Sequence, residues 1–129
     1  MEHRTIGVIG LGDMGGGIAA NLVRAGYTVY GYDLKEEEVV RFLARGGLAA
    51  SGSGEILARC DVVLVSVEGR DAIRLTEGTL LPGARPGQTF IDHSTVPVHE
   101  TQRLGRALEA KGCRYLDAPT SGGRAGAEA

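Results

Sequence analysis

The sequence predicts an α/β fold: a doubly wound parallel sheet of about six strands with helices on both faces. Short apolar segments alternate with amphipathic ones along a chain of 129 residues, the length of one domain. Segment 61–67 is nearly all apolar, which is typical of a central strand that is covered on both faces. Strands separated by helical segments imply parallel pairing with right-handed crossovers.

Each element in the first half has a local signal. β-branched residues mark the first strand, and Gly26 ends the first helix as a C-terminal cap. The second helix carries Val39, Phe42 and Leu43 on one face before two glycines end it. The predicted elements are strand 5–9, helix 14–25, strand 27–32, helix 35–45 and short strand 48–50.

The second half continues the alternation. Residues 51–53 offer an N-cap for a brief helix through residue 58, and 80–87 is predicted to be a Pro/Gly-rich connection. Pro97 suits the first turn of the last helix, and Gly112 suits its end. The predicted elements are strand 61–67, helix 70–76, strand 88–92, helix 97–111 and strand 114–117.

Composition excludes several classes of function. A net charge of -2 gives no basic face for nucleic acid, and an apolar fraction of 43% argues against disorder. The three histidines and two cysteines have no metal-ligand spacing, so no metal site is predicted. The apolar runs are too short for a signal peptide or a membrane span, and we expect a cytoplasmic protein with no membrane partner.

A glycine-rich turn between the first strand and first helix predicts a Rossmann dinucleotide site. In this motif the first glycine, Gly10, allows the tight turn, Gly12 lets the backbone approach a pyrophosphate, and Gly15 lets the helix pack against the sheet. The helix N-terminus presents N–H groups to the phosphates. The predicted contacts are Gly10, Leu11, Gly12, Asp13, Met14 and Gly15.

The acidic residue expected after the second strand is Asp33, which follows Gly10 by 23 residues. We expect its carboxylate to accept hydrogen bonds from the adenosine ribose, which favours NAD over NADP. Lys35 is the opposing signal, because it would partly neutralise a 2′-phosphate. Asp33 also suits the alternative role of helix N-cap, which is compatible with ribose binding.

Three blocks of sequence occur in order: the glycine loop with 19–22 after it, 92–97, and 117–123 with 126–127 after it. Together they resemble the β-hydroxyacid dehydrogenase family. This group includes 3-hydroxyisobutyrate dehydrogenase, tartronate semialdehyde reductase and, more distantly, 6-phosphogluconate dehydrogenase. Ile18 and Thr120 are mild departures from the family pattern, and 67–69 replaces its commoner turn after the fourth strand.

The resemblance implies hydride transfer between nicotinamide and a small β-hydroxy acid. It places Val67 and Thr95 beside the cofactor, with Thr95 near the nicotinamide ribose. It also implies that Ser121, Gly122 and Gly123 bind the substrate carboxylate through a hydroxyl and backbone N–H groups. Two structural alternatives remain: Ser94 and Thr95 as caps of the last helix, and 121–123 as a plain turn.

The resemblance further implies that no catalytic residue lies in this chain. The family's general acid–base is a lysine on a later helix, and neither Lys35 nor Lys111 fits that position. We therefore expect the lysine beyond Ala129, in a helical C-terminal domain that would also form a homo-oligomer. The predicted division is a dinucleotide-binding domain at 1–118 and the start of a substrate segment at 119–129.

Two other functions remain open from the sequence. One is a non-catalytic dinucleotide-binding module or sensor. The other is a relative of imine reductases, which share the glycine loop but which the segment 121–123 disfavours.

Overall fold

The predicted doubly wound sheet is confirmed in a computed structural model that describes residues 4–119. Six parallel strands lie in the order β3-β2-β1-β4-β5-β6. The chain winds outward in one direction from β1 and then in the other from β4, so a crevice opens at the carboxyl ends of these two strands. The strands are β1 Thr5–Ile9, β2 Thr28–Tyr32, β3 Leu48–Ala49, β4 Val62–Val65, β5 Thr89–Asp92 and β6 Arg114–Asp117.

Helices connect successive strands. A π-helical turn, Thr76–Leu80, follows α4 directly and leads into the short α5. The helices are α1 Asp13–Arg24, α2 Glu36–Ala44, α3 Ser53–Arg59, α4 Gly69–Leu75, α5 Leu81–Gly83 and α6 Val98–Ala110. Within residues 4–119, none of these helices has the length and apolar character needed to cross a bilayer.

Both faces of the sheet are buried. Val8 belongs to one hydrophobic cluster and its neighbour Ile9 to another, because successive strand residues point to opposite faces. Phe42, from α2, anchors the first cluster, and Phe90, from β5, anchors the second. Each ring is at most 2% exposed, so each contributes about 1.5–3 kcal/mol through burial.

One predicted helix face is wrong at a single position. Phe42 is buried and Val39 packs against the same cluster, but Leu43 is 46% exposed. Phe42 lies against Gly47, where an added Cβ would come within 2.1 Å of its ring. The neighbouring strand β3 is only two residues long, so little sheet surface is available to cover Leu43.

Two local predictions are also corrected, and a third is made more precise. The predicted connection 80–87 is helical through Gly83, because the π-helical turn carries α4 into α5. The N-cap of α3 is Gly52, which lies within the predicted stretch 51–53 but supplies no side-chain cap, and the Ser51 N–H donates to Glu55 Oε1 at 2.7 Å. Pro97 is the N-cap of α6 rather than part of its first turn, since its ψ of 141° is extended.

Candidate cofactor-binding site

The glycine loop after β1 is shaped by close backbone contacts. Gly10 has a φ of +99°, and a Cβ there would lie 2.1 Å from the Ser66 carbonyl oxygen. A Cβ at Gly15 would lie 1.8 Å from the Gly10 carbonyl oxygen. Only glycine fits at both positions, because each contact is with backbone that has no freedom to rotate away.

Gly12 differs from both of these glycines. It is exposed, and a Cβ placed on it would meet nothing within 4 Å. It is the N-cap of α1 and has no side-chain cap hydrogen bond. The first amide groups of a helix have no intrahelical carbonyl partners and carry partial positive charge. The loop therefore leaves open space beside a helix N-terminus, which fits the pyrophosphate of a dinucleotide.

The other residues of the predicted loop contact differ in how far their side chains are exposed. Leu11 is 2% exposed and its side chain packs in the core. Asp13 is exposed and Met14 is half-buried at the start of α1. Contact with a ligand at Leu11 is therefore restricted to its backbone.

Asp33 joins the end of β2 to the glycine loop. Its Oδ2 accepts the Leu11 N–H at 2.8 Å, and its Oδ1 accepts the Lys35 N–H at 2.8 Å. The N-cap alternative is wrong, because Lys35 is the N-cap of α2 and no side chain caps that helix. A carboxylate has about four acceptor positions, so two remain for other donors such as ribose hydroxyls.

A cleft of about 490 Å³ opens beside this carboxylate at the carboxyl edge of the sheet. It carries charges of both signs, because Asp33 and Asp71 line it together with Lys35 and Arg74. Leu34 is 91% exposed and also lines the cleft, so it offers an apolar surface to a flat ring. The lining is completed by Ile9, Gly10, Tyr32, Ser53, Val67 and Leu75.

Sequence reasoning missed some of these residues. Leu34 had a usable signal, since it is a large apolar residue directly after the predicted ribose acid. Arg74 and Asp71 had none, because they reach the cleft from α4 only through the packing of that helix against the sheet.

The loops after β4 and β5 lie against each other. The Val67 N–H donates to Ser94 Oγ at 3.0 Å, and the Ser94 N–H donates to Asp92 Oδ1 at 2.8 Å. Val67 lines the cleft, whereas the Thr95 side chain is exposed at the same edge. The helix-capping alternative for Ser94 and Thr95 is wrong, because α6 has no side-chain cap.

Some predicted residues lie outside the described part of the chain. Ser121, Gly122 and Gly123 are among these, so the structure does not describe the predicted substrate segment. Within 4–119, no group of three or more His, Cys, Asp or Glu residues is arranged to hold a metal ion. The described His93 uses its Nδ1 in a 2.8 Å hydrogen bond with the Ala118 carbonyl oxygen.

Comparison with known proteins decides the family. Residues 5–129 match the family described as the NAD binding domain of 6-phosphogluconate dehydrogenase. The chain belongs to this family. The predicted resemblance is confirmed, and the chain is a domain of the type that binds NAD(P).

Relatives add detail. L-threonate dehydrogenase from Cupriavidus necator is 42% identical over 125 residues, covering 95% of this chain and 42% of that protein. The structure of Mycobacterium tuberculosis 3-hydroxyisobutyrate dehydrogenase with L-serine is 36% identical, with a TM-score of 0.90 over 98% of this chain and 44% of that one. Human cytokine-like nuclear factor N-PAC is 33% identical over 122 residues, covering 92% of this chain and 22% of that protein. The chain thus spans less than half the length of these proteins.

Proposed function

We propose that this chain is the cofactor half of an oxidoreductase that moves hydride between NAD and a small β-hydroxy acid. The observation that carries the proposal is the open Gly12 turn at the start of α1, tied to Asp33 through the Leu11 N–H. The nicotinamide ring of the bound cofactor supplies the hydride chemistry. The residues of this chain bind and orient the cofactor.

Each residue has a role that follows from its position. Gly12, Asp13 and Met14 present the first-turn amides of α1 to the pyrophosphate. Asp33 accepts hydrogen bonds from the adenosine ribose, and Val67 and Thr95 flank the nicotinamide half. Gly10, Leu11 and Gly15 maintain the loop shape rather than contact the ligand through side chains.

We propose that NAD is preferred to NADP. A 2′-phosphate would stand beside the Asp33 carboxylate, whose two oxygens already fix the backbone on either side of it. Lys35 and Arg74 line the same cleft and oppose this preference by attracting a phosphate. Asp33 is expected to dominate because its carboxylate is fixed by two hydrogen bonds, whereas both cations lie on long, exposed side chains.

The substrate and the remaining machinery are also proposals. We infer a dinucleotide-binding domain at 1–118, and a segment at 119–129 in which Ser121, Gly122 and Gly123 hold a substrate carboxylate. The catalytic lysine would follow Ala129 in a helical domain, where oligomer contacts would also form. The names of the dehydrogenases above support a hydroxy-acid substrate for the whole protein.

Calorimetric titration of this chain with NAD+ and with NADP+ tests the cofactor proposal. Wild type is expected to bind NAD+ more tightly. Asp33→Asn should weaken NAD+ binding about tenfold, because the uncharged amide has one acceptor oxygen in place of two and loses a charge-assisted hydrogen bond. It should also reduce the ratio of the NADP+ to the NAD+ dissociation constant. Asp71→Asn is the matched control, because it removes an exposed carboxylate from the same cleft. Tighter NADP+ binding by wild type would contradict the proposed preference, and binding of neither would contradict the function.

A second candidate is a dinucleotide-binding module without turnover. It is favoured by the relative named as a cytokine-like nuclear factor, in which a similar domain is 22% of a longer chain. The gene sequence beyond codon 129 separates the two candidates. A following helical domain with a lysine, together with NAD+ reduction by hydroxy acids in the whole gene product, supports the enzyme. Cofactor binding without turnover by that product supports the module.

A further inference from the structure

We propose that Ser94 is a positioning residue for the nicotinamide half of the site, and that it acts by holding the loop after β4 against the loop after β5. This proposal rests on the proposed function, because it assumes that a dinucleotide lies along this edge. The sequence predicted for Ser94 only a role as a cap of α6, and that helix has no side-chain cap.

The contacts of Ser94 point inward. The residue is 4% exposed, so its hydroxyl is placed to bind protein rather than ligand. That oxygen accepts the Val67 N–H at 3.0 Å, and the Ser94 N–H donates to Asp92 Oδ1 at 2.8 Å. Asp92 is itself only 2% exposed, so the carboxylate that accepts the Ser94 N–H is held in place at the end of β5.

A second contact presses the same two loops together. A Cβ on Gly69 would lie 2.1 Å from the Thr95 carbonyl oxygen, so the start of α4 touches the residue that follows Ser94. The loops therefore meet at two points, Val67 with Ser94 and Gly69 with Thr95. Both residues proposed to flank the nicotinamide half, Val67 and Thr95, belong to these contacts.

The loop after β4 also touches the glycine loop. A Cβ on Gly10 would lie 2.1 Å from the Ser66 carbonyl oxygen and 2.9 Å from Val67 Cγ1. Val67 is thus packed between the phosphate-binding turn on one side and Ser94 on the other. Removing the Ser94 hydroxyl should release Val67 on the side of Thr95, while the contact with Gly10 remains.

Because only one of the two contacts of Val67 depends on the Ser94 hydroxyl, a positioning role can be distinguished from a merely structural one. The 2.8 Å hydrogen bond from the His93 N–H to the Val65 carbonyl oxygen does not involve the hydroxyl of Ser94. Loss of that hydroxyl should therefore leave the sheet and the adenosine side intact. A general loss of folding would instead affect every ligand alike.

The test compares two ligands in wild type and in Ser94→Ala. NAD+ reaches both halves of the site, whereas ADP reaches only the adenosine and pyrophosphate half. The Kd for NAD+ should rise about three- to tenfold, the effect of one hydrogen bond, while the Kd for ADP stays within about twofold. Amide exchange at Val67, followed by NMR, should accelerate in the ligand-free variant.

Thr76→Ala is the matched control. Thr76 is a buried hydroxyl, 2% exposed, whose Oγ1 donates to the Ala72 carbonyl oxygen at 2.8 Å within the helical segment. Its removal should lower the melting temperature without changing the ratio of the NAD+ and ADP dissociation constants. Gly69→Ala is the second variant, because it forces the same loops apart and should reproduce the selective loss.

The outcomes are distinct. Wild-type binding of neither ligand refutes the proposed function. The role of Ser94 is overturned if wild type binds ADP as tightly as NAD+. It is also overturned if Ser94→Ala weakens the binding of both ligands equally. Both results leave dinucleotide binding in place. If Ser94→Ala does not fold, the ratio measured with Gly69→Ala decides: an unchanged ratio overturns the proposal, and a selective loss of NAD+ supports it.

Discussion

Replacing Gly12 with alanine should separate the stability of this domain from its affinity for a dinucleotide. A Cβ at Gly12 meets no atom within 4 Å, and the residue has a φ of -67°, which alanine adopts without strain. The free energy of unfolding should therefore stay equal or rise by up to about 1 kcal/mol, because alanine reduces the freedom of the unfolded chain. The new methyl group would nevertheless occupy the space where the pyrophosphate is expected.

The expected loss of affinity follows from the hydrogen bonds that this displacement breaks. A bond to a charged group contributes about 1.5–3 kcal/mol, so losing one weakens NAD+ by roughly tenfold or more. Gly15→Ala is the matched variant, in which the stability of the domain is the quantity that should fall. Its Cβ would lie 1.8 Å from the Gly10 carbonyl oxygen, and such overpacking costs about 1–3 kcal/mol of stability.

Thermal unfolding and calorimetric titration of the two variants provide the assay. Gly12→Ala should melt at or above the wild-type temperature and bind NAD+ weakly. Gly15→Ala should melt about 4 °C lower for each kcal/mol lost. The reasoning is refuted if Gly12→Ala binds NAD+ as tightly as wild type, since the ligand would then not approach the backbone at this residue.

Three further predictions concern buried polar groups. Gln88→Ala should lower the free energy of unfolding by about 2–4 kcal/mol in urea titrations, because the Gln88 amide donates to the Leu57 and Cys60 carbonyl oxygens. The affinity for NAD+ should stay unchanged, because Gln88 lies at the edge of the sheet opposite the cleft. Burial, and then the charge of Asp117, raises the pKa of Asp92 above its ordinary value of 3.8. Ionised Asp92 therefore destabilises the fold increasingly as pH rises from about 3.8 to that raised pKa, and by a constant amount above it. The stability of Asp92→Asn relative to wild type should accordingly increase with pH above about 4, and a flat difference would contradict this sign. Burial raises the pKa of the Cys60 thiol to about 11, so Cys60 should resist alkylation at pH 8 until urea unfolds the chain. Rapid labelling of Cys60 in the native protein would contradict this expectation and show that the thiol is exposed.

The Asp33 carboxylate shows where sequence reasoning stops at the site. Its spacing from Gly10 predicted a ribose contact, and the structure places it at the cleft. Its bond to the Leu11 N–H joins residues 22 positions apart, so it exists only after β1 and β2 pair in register. No local pattern contains that information, because Leu11 and Asp33 lie in two loops that meet only after their strands have paired.

The connection between α4 and β5 shows the same limit for the fold. Pro82 and the nearby glycines predicted a plain connection at 80–87, yet the π-helical turn reaches Leu80 and α5 occupies Leu81–Gly83. Thr76 and Leu80 are buried in this segment, at 2% and 1% exposure. Packing of these side chains holds a conformation that local propensity disfavours.

The sequence by itself determined the sheet, its parallel pairing and the glycine loop of this protein. These features depend on signals carried within a few residues: β-branched runs, helical periodicity and glycines at turns. Tertiary structure alone decided that Leu43 is exposed, that Arg74 reaches the cleft and that Ser94 binds Val67. Each of these outcomes depends on where one element ends relative to another, and such distances are fixed only when the elements pack together.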